Sequence, residues 1–321
     1  MEARAKMKAA GQGSFLENPV VRNLMPCIGF VVICVLFMAL TGGRIFAPAN
    51  IKLLLSQTYM LMIACSGVFM VMTMGGLDFS QGSLLGVSGI VICYLSTVNI
   101  VLAVIGGMIT GGLIGLVNGF FNVKRQISSF IVTICNLFLL RGVCAYLTTK
   151  SPVYAAAGIS KYSNVRFNLT FTVIILVILF LAFQFTGLGS RLKAIGAGET
   201  AARFAGIRVE RTKILIYVLA GCVTGLASFI NCVKVGSVTS SSGSQLETQI
   251  MIALVLGGMP VNGGAKVKFY NIILGALTYR ILSSGLVMMG LTPKTQQLLL
   301  GIIFLIEVAL FSDRKTGMVV K

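Results

Sequence analysis

Uninterrupted apolar runs of about 20 residues recur along the whole chain, the length a helix needs to cross the hydrocarbon core of a bilayer. In lipid no water is available to satisfy backbone N–H and C=O groups, so a spanning segment must be a helix or part of a closed barrel. Barrel strands alternate apolar and polar residues, and these runs do not alternate. The expected fold class is therefore all-α, a polytopic membrane protein. Composition agrees: 56% of the 321 residues are hydrophobic and 11% are charged, against roughly 25% charged for a soluble domain.

Ten spans are predicted: Leu24–Leu40, Ile51–Met74, two from the stretch Gly82–Phe121 divided near Thr97–Asn99, Ile127–Thr148, Leu169–Gly187, Ile214–Val233, a short one at Thr248–Gly257, Tyr270–Met289 and Gln296–Phe311. The first is expected to be a retained span, because no convincing small-residue cleavage site follows it. The net charge is +18. In so apolar a chain, basic residues at loop ends are expected to set orientation rather than to bind nucleic acid. With both termini cytoplasmic, 17 of the 26 Lys and Arg fall inside and seven outside, leaving Arg141 and Arg280 within spans. Losing or adding one span would move the basic loop Arg191–Lys213 outside, so charge favours ten spans and cytoplasmic termini. The expected organisation is one transmembrane domain over 1–321, with cytoplasmic tails at 1–21 and 312–321 and a cytoplasmic loop at 188–213. The polar loop Val153–Asn168 falls outside.

Two glycine-rich breaks interrupt the apolar pattern, GGLDFSQGS (75–83) and GGMPVNGG (257–264). Irregular backbone at membrane depth survives only beside protein or water, so such breaks point to a transporter's pathway. Gly75, Gly76, Asp78 and Ser80 belong to the first. Paired glycines within spans, such as Gly106–Gly107 and Gly111–Gly112, are expected to let helices pack closely. The eight cysteines lie in or at the ends of apolar segments without metal-ligand spacing and read as small packing residues.

Intramembrane acids are few. Asp78 and Glu307 are functional candidates by default, but Arg141 and Arg280 are available as structural partners. Asp78 could equally hold N–H groups at the start of the next helix, with Ser80 assisting. The chain has no His and no phosphate-binding GxxxxGK[ST] loop, so neither catalysis nor ATP hydrolysis is expected of it. The loop Leu188–Lys213 has helical character: Ala201, Ala202, Phe204, Ala205 and Ile207 are expected on one apolar face, with Glu199, Arg203 and Glu210 around it. Such a helix rests either on lipid headgroups or on a partner.

Several motifs, in order and spacing, resemble the permease subunits of ribose-type sugar ABC importers: GGLDFSQGSLLGVSG (75–89), GLVNGF (115–120), FIVTICNLFLLRG (130–142), AIGAGETAARFAGIRVERTK (194–213) and GGMPVNGGAK (257–266). The resemblance covers nearly the whole chain from the second span, and the 194–213 loop is its most specific piece. It implies a membrane dimer in the bacterial plasma membrane, in contact with lipid. A cytoplasmic ABC ATPase would use the ATP, and an extracytoplasmic sugar-binding protein would deliver substrate. This chain would bind no cofactor and no metal. The segment Glu199, Ala201, Ala202, Arg203, Phe204, Gly206 and Ile207 matches the coupling helix that docks on the ATPase. Gly75, Gly76, Asp78, Ser80, Asn118, Asn136 and Arg141 become candidates for the translocation pathway. Phe79, Phe121 and the pair Ser128–Ser129 depart from the family's pattern and leave the sugar unnamed. The alternatives are a permease for a nucleoside, an amino acid or another small polar solute, and an ion-coupled secondary transporter.

Overall fold

A computed structural model describes residues 19–311 of the chain. The C-terminal tail 312–321 and all but the last three residues of the expected N-terminal tail 1–21 lie outside them. The chain is overwhelmingly helical. In order, the helices are α1 (Pro19–Leu40), α2 (Pro48–Thr73), α3 (Gln81–Ser96), α4 (Ile100–Lys124), α5 (Ser129–Leu147), α6 (Val165–Phe185), α7 (Gly187–Ala197), α8 (Glu199–Phe204), α9 (Val209–Val235), α10 (Leu246–Leu256), α11 (Tyr270–Met288) and α12 (Pro293–Phe311). Among the described residues, α2, α4, α5, α6, α9 and α11 are each long and apolar enough to cross a membrane.

Each predicted span coincides with a helix, though boundaries move. The first helix begins at Pro19, five residues before Leu24. At about 1.5 Å per residue, the 11-residue α10 is roughly 16 Å long, too short to cross a ~30 Å core by itself. The loop 188–213 is more ordered than expected: Thr186 accepts the Leu188 N–H at 3.2 Å and starts α7 directly after α6. The loop 153–168 contains a two-residue strand β1 (Val153–Tyr154), antiparallel to β2 (Ser237–Val238) with Val153 opposite Val238.

Helix α2 is the core. Most of its surface is covered from Thr58 to Thr73, the condition of a helix apolar on all sides. At its lower end Phe69 meets Phe183 edge-on at 5.1 Å and Phe269 at 5.7 Å, so one aromatic cluster joins α2, α6 and the start of α11. Helices α4 and α9 approach more closely than side chains would permit. A Cβ on Gly111 would overlap the Gly221 carbonyl, one on Gly225 the Gly107 carbonyl, and one on Gly115 the Tyr217 carbonyl. Four-residue spacing on both helices makes two smooth faces, the small-residue packing used where lipid supplies no hydrophobic drive.

Candidate functional site

The first break is closed by hydrogen bonds from within. Asp78, 1% exposed, accepts the Ser80 N–H at 3.0 Å and the Ser80 hydroxyl at 2.7 Å on Oδ1, and the Gln81 amide at 2.6 Å on Oδ2. Three donors around one carboxylate are what a buried acid requires. Ser80 is the residue before α3, and its own side chain makes no capping bond; Asp78 turns the backbone into the helix instead.

The network continues sideways. Asn118 on α4 donates to Ser80 Oγ at 2.8 Å, and Asn136 on α5 donates to Asn118 Oδ1 at 2.7 Å. On the other side Thr224 of α9 donates to Gln81 Oε1. Of the sequence candidates, Asp78, Ser80, Asn118 and Asn136 thus form one connected chain. Gln81 and Thr224 complete it and were not expected; the three-residue spacing from Asp78 to Gln81 was the one available signal.

Arg141 lies elsewhere. Its guanidinium donates to the Ser242 carbonyl at 2.8 Å and the Gly243 carbonyl at 3.3 Å, in the loop before α10. The pairing of Arg141 with Asp78 offered by the sequence does not form: Arg141 is engaged by the two loop carbonyls, and neutral donors satisfy the acid. Nor do Arg280 and Glu307 pair: Arg280 Nε and Glu307 Oε2 are buried without hydrogen-bond partners among the described residues.

The two glycine-rich breaks meet. The Gly264 N–H donates to the Thr73 carbonyl at 3.1 Å, and a Cβ on Gly263, whose φ is +65°, would overlap the Met72 carbonyl. Gly75, at φ +81°, faces the Asn262 carbonyl. Left-handed backbone of this kind favours glycine. Gly76 packs against Val71 and Tyr217, where a Cβ would come within 3.1 Å of either side chain.

The elbow α7–α8–α9 sits against this junction. A Cβ on Gly196, near the end of α7, would overlap the Thr73 carbonyl and approach the Gly264 nitrogen at 2.8 Å. Helix α8 then projects outward. Glu199 accepts from Arg203 at 3.1 Å and from Lys213 at 2.5 Å, tying α8 to α9. Burial pulls the Glu199 carboxyl up, but the hydrogen bonds and charges of Lys213 and Arg203 outweigh it and hold the group below its ordinary value. The single apolar face predicted for this segment is not found: Ala202 is 3% exposed and packs inward, whereas Phe204 is 89% exposed. Ala201, Arg203, Ala205 and Gly206 are also exposed, and Ile207 is half-buried. In one turn and a half a helix cannot turn all its apolar side chains to one side. The N-cap of α8 is Gly198, with no side-chain capping bond.

The family model of the branched-chain amino acid transport system permease component matches residues 50–308. The chain belongs to this family of permeases. Among curated proteins, the permease is 30% identical over 306 residues to the ribose import permease protein of Bacillus subtilis strain 168, covering 92% of this chain and 94% of that one. It is 29% identical over 290 residues to the ribose import permease protein of Escherichia coli strain K12, covering 87% and 90%. It is also 29% identical over 290 residues to the L-arabinose ABC transporter permease protein of Azospirillum brasilense, covering 87% and 85%. No solved structure matches the permease.

Proposed function

We propose that this chain is the membrane-spanning subunit of an ATP-driven importer that passes a monosaccharide into the cytoplasm of a bacterium, and that it carries out no chemistry itself. Near-full-length similarity to ribose and arabinose permeases supports the substrate class. In this reading ten helices span the plasma membrane with both termini cytoplasmic, surrounded by lipid, and two copies enclose the path. A separate ABC ATPase uses the ATP, and an extracytoplasmic binding protein delivers the sugar. No cofactor, metal or nucleic acid is bound by this chain.

The observation that carries the mechanism is the position of Gly196, which packs against Thr73 at the end of α2, just before the first glycine-rich break, and against Gly264 in the second. Helix α8 is the contact for the ATPase, with Phe204 as its exposed anchor; an aromatic side chain that protrudes fully is a common hot spot at interfaces. Closure of the ATPase pair would push on α8. The Glu199 ion pairs would pass the movement to α9, and Gly196 would pass it to the junction of the breaks. The chain Asn136–Asn118–Ser80–Asp78–Gln81–Thr224 holds α3, α4, α5 and α9 together as the path opens on alternate sides.

The test is uptake of labelled ribose into vesicles containing the permease, its ATPase and the binding protein. Accumulation that requires internal ATP is the expected result. Accumulation that follows a proton or sodium gradient without ATP would replace this reading with ion-coupled transport. The family's description favours one further possibility, a branched-chain amino acid as solute, and competition by unlabelled leucine in the same assay would reveal it.

A further inference from the structure

The connection between α9 and α10 folds back along α3 instead of ending at its tip. From Val238 it descends along a glycine stripe on α3: a Cβ on Gly89 would meet Val238 at 2.9 Å, one on Gly86 the Ser242 carbonyl at 3.3 Å, and one on Gly82 would overlap both the Gly243 carbonyl and Glu247. Gly82 is the second residue of α3 and Ser96 the last, so the bottom of the loop is roughly 21 Å down that helix. That distance is about two thirds of a ~30 Å hydrocarbon core.

The sequence of this segment, Thr239-Ser-Ser-Ser-Gly-Ser-Gln245, is polar throughout. Ser240, Ser241, Ser244 and Gln245 are exposed. Arg141 of α5 holds the loop from one side through the Ser242 and Gly243 carbonyls. Gln297 of α12 holds it from the other, donating to Gln245 Oε1 at 2.6 Å. Gln245 has φ +64°, a left-handed conformation unusual for a residue with a side chain. Behind the loop, Glu247 in the first turn of α10 has a buried Oε2 without a hydrogen-bond partner among the described residues. Exposed hydroxyls and irregular backbone at this depth cannot face acyl chains, so they face water or protein.

We infer that the loop Thr239–Gln245, positioned by Arg141 and backed by Glu247, is the solute-contacting segment of the path, and that its exposed hydroxyls and amide exchange hydrogen bonds with the hydroxyl groups of a monosaccharide. This rests on the proposed transport function and adds the place where sugar and permease touch. A short helix beginning at a break inside the membrane, beside a polar loop, is the arrangement in which transporters hold solutes.

Aqueous accessibility tests the placement, and it is read without transport, so it stands or falls separately from the uptake assay. In vesicles holding the complete importer, Ser241→Cys and Ser244→Cys should react with a membrane-impermeant methanethiosulfonate at least about ten-fold faster than the wild-type chain, because a thiol reacts as its hydrated thiolate. The wild type supplies the lipid-facing control, since Cys135 is exposed on the apolar face of α5 beside Phe138 and Leu139. Reaction no faster than wild type, or spontaneous cross-linking of two copies without labelling, would make the loop a dry subunit contact and overturn the inference. Contact with sugar is tested by Ser244→Ala and Gln245→Ala. At saturating binding protein, each should change the ratio of ribose to arabinose uptake by about three-fold or more, the scale of one altered contact. An unchanged ratio in both variants would overturn the sugar assignment.

Discussion

Thr73 at the end of α2 and Gly264 in the second glycine-rich break are joined by one backbone hydrogen bond of 3.1 Å, and Gly196 of the α7–α8–α9 elbow is pressed against both. Three segments distant in sequence meet there with almost no side chains between them. The contact is backbone on backbone, so an added methyl group has nowhere to go. Gly196→Ala should cost about 1–3 kcal/mol of stability, as overpacking does, and should lower ATP-driven uptake at least about ten-fold by displacing the elbow from the breaks. Uptake at the wild-type rate by a well-expressed Gly196→Ala chain would remove the junction from the coupling route.

Phe204 and Ala202 are two residues apart and face opposite ways. Phe204→Asp alters an exposed side chain and should leave the chain inserted and folded while abolishing co-purification with the ATPase and uptake together. Ala202→Asp places a carboxylate in a buried site and should lower expression and thermal stability as well. Size-exclusion profiles and melting in detergent separate the two. Equal loss of folding in both variants would show that Phe204 supports the elbow itself.

The Glu199 carboxyl is held below its ordinary value, so the free protein gains from its ionisation only while the pH stays above the unfolded value of about 4.3. That contribution is present at neutral pH and is lost as the pH falls through the depressed value in the folded state. The ion pairs are partly exposed, and their effect should be local rather than global. Protection from hydrogen exchange over 199–213, taken relative to the intrinsic rate at each pH, is expected to fall on acidification in the wild type, whereas Glu199→Gln should be poorly protected at neutral pH already. An acid-induced loss of protection of the same size in the Gln variant would assign the loosening to another group.

Within the polar chain, Asn118 is the two-sided member, donating to Ser80 and accepting from Asn136. Asn118→Leu leaves a buried hydroxyl and a half-buried amide each short of a partner, at a cost of about 1–3 kcal/mol. Asn118→Asp keeps the acceptor for Asn136 but sets a second carboxylate beside Asp78, and it should be worse than Asn118→Leu if Asp78 is ionised. Melting midpoints of the two variants, compared at neutral pH, decide this; a milder effect of Asp would mean that Asp78 carries a proton.

Much of the helical architecture could be read from residue patterns, because span length and glycine breaks each follow from the bilayer as solvent. What could not be read was pairing. Arg141 suggested a carboxylate partner, yet its acceptors are the Ser242 and Gly243 carbonyls, and backbone acceptors leave no mark in a sequence. Gln81 and Thr224 were overlooked because a neutral polar residue in an apolar run can be satisfied by its own helix. On α8 the apolar residues suggested one face, but six residues are too few for periodicity to discriminate. The loop Thr239–Gln245 drew no reading from the sequence, since its place depends on packing against the α3 glycines.

Glycine itself gives a final comparison in which one substitution has opposite signs at two sites. Gly111 faces the Gly221 carbonyl with no room for a Cβ, while Gly142 on exposed α5 has nothing within 4 Å of where a Cβ would sit. Alanine at 142 removes backbone freedom from the unfolded chain and improves helix propensity, a gain of about 0.5–1 kcal/mol. Alanine at 111 must push α4 from α9 along their closest approach and should cost about 1–3 kcal/mol. Gly142→Ala should therefore raise the melting midpoint in detergent and Gly111→Ala lower it. Because the obstruction is a carbonyl and not a side chain, truncating neighbouring residues should not rescue Gly111→Ala. Rescue by Cys222→Ala, which empties the adjacent space beside Gly112, would show that the helices can slide past one another and that the close approach is not fixed by the backbone.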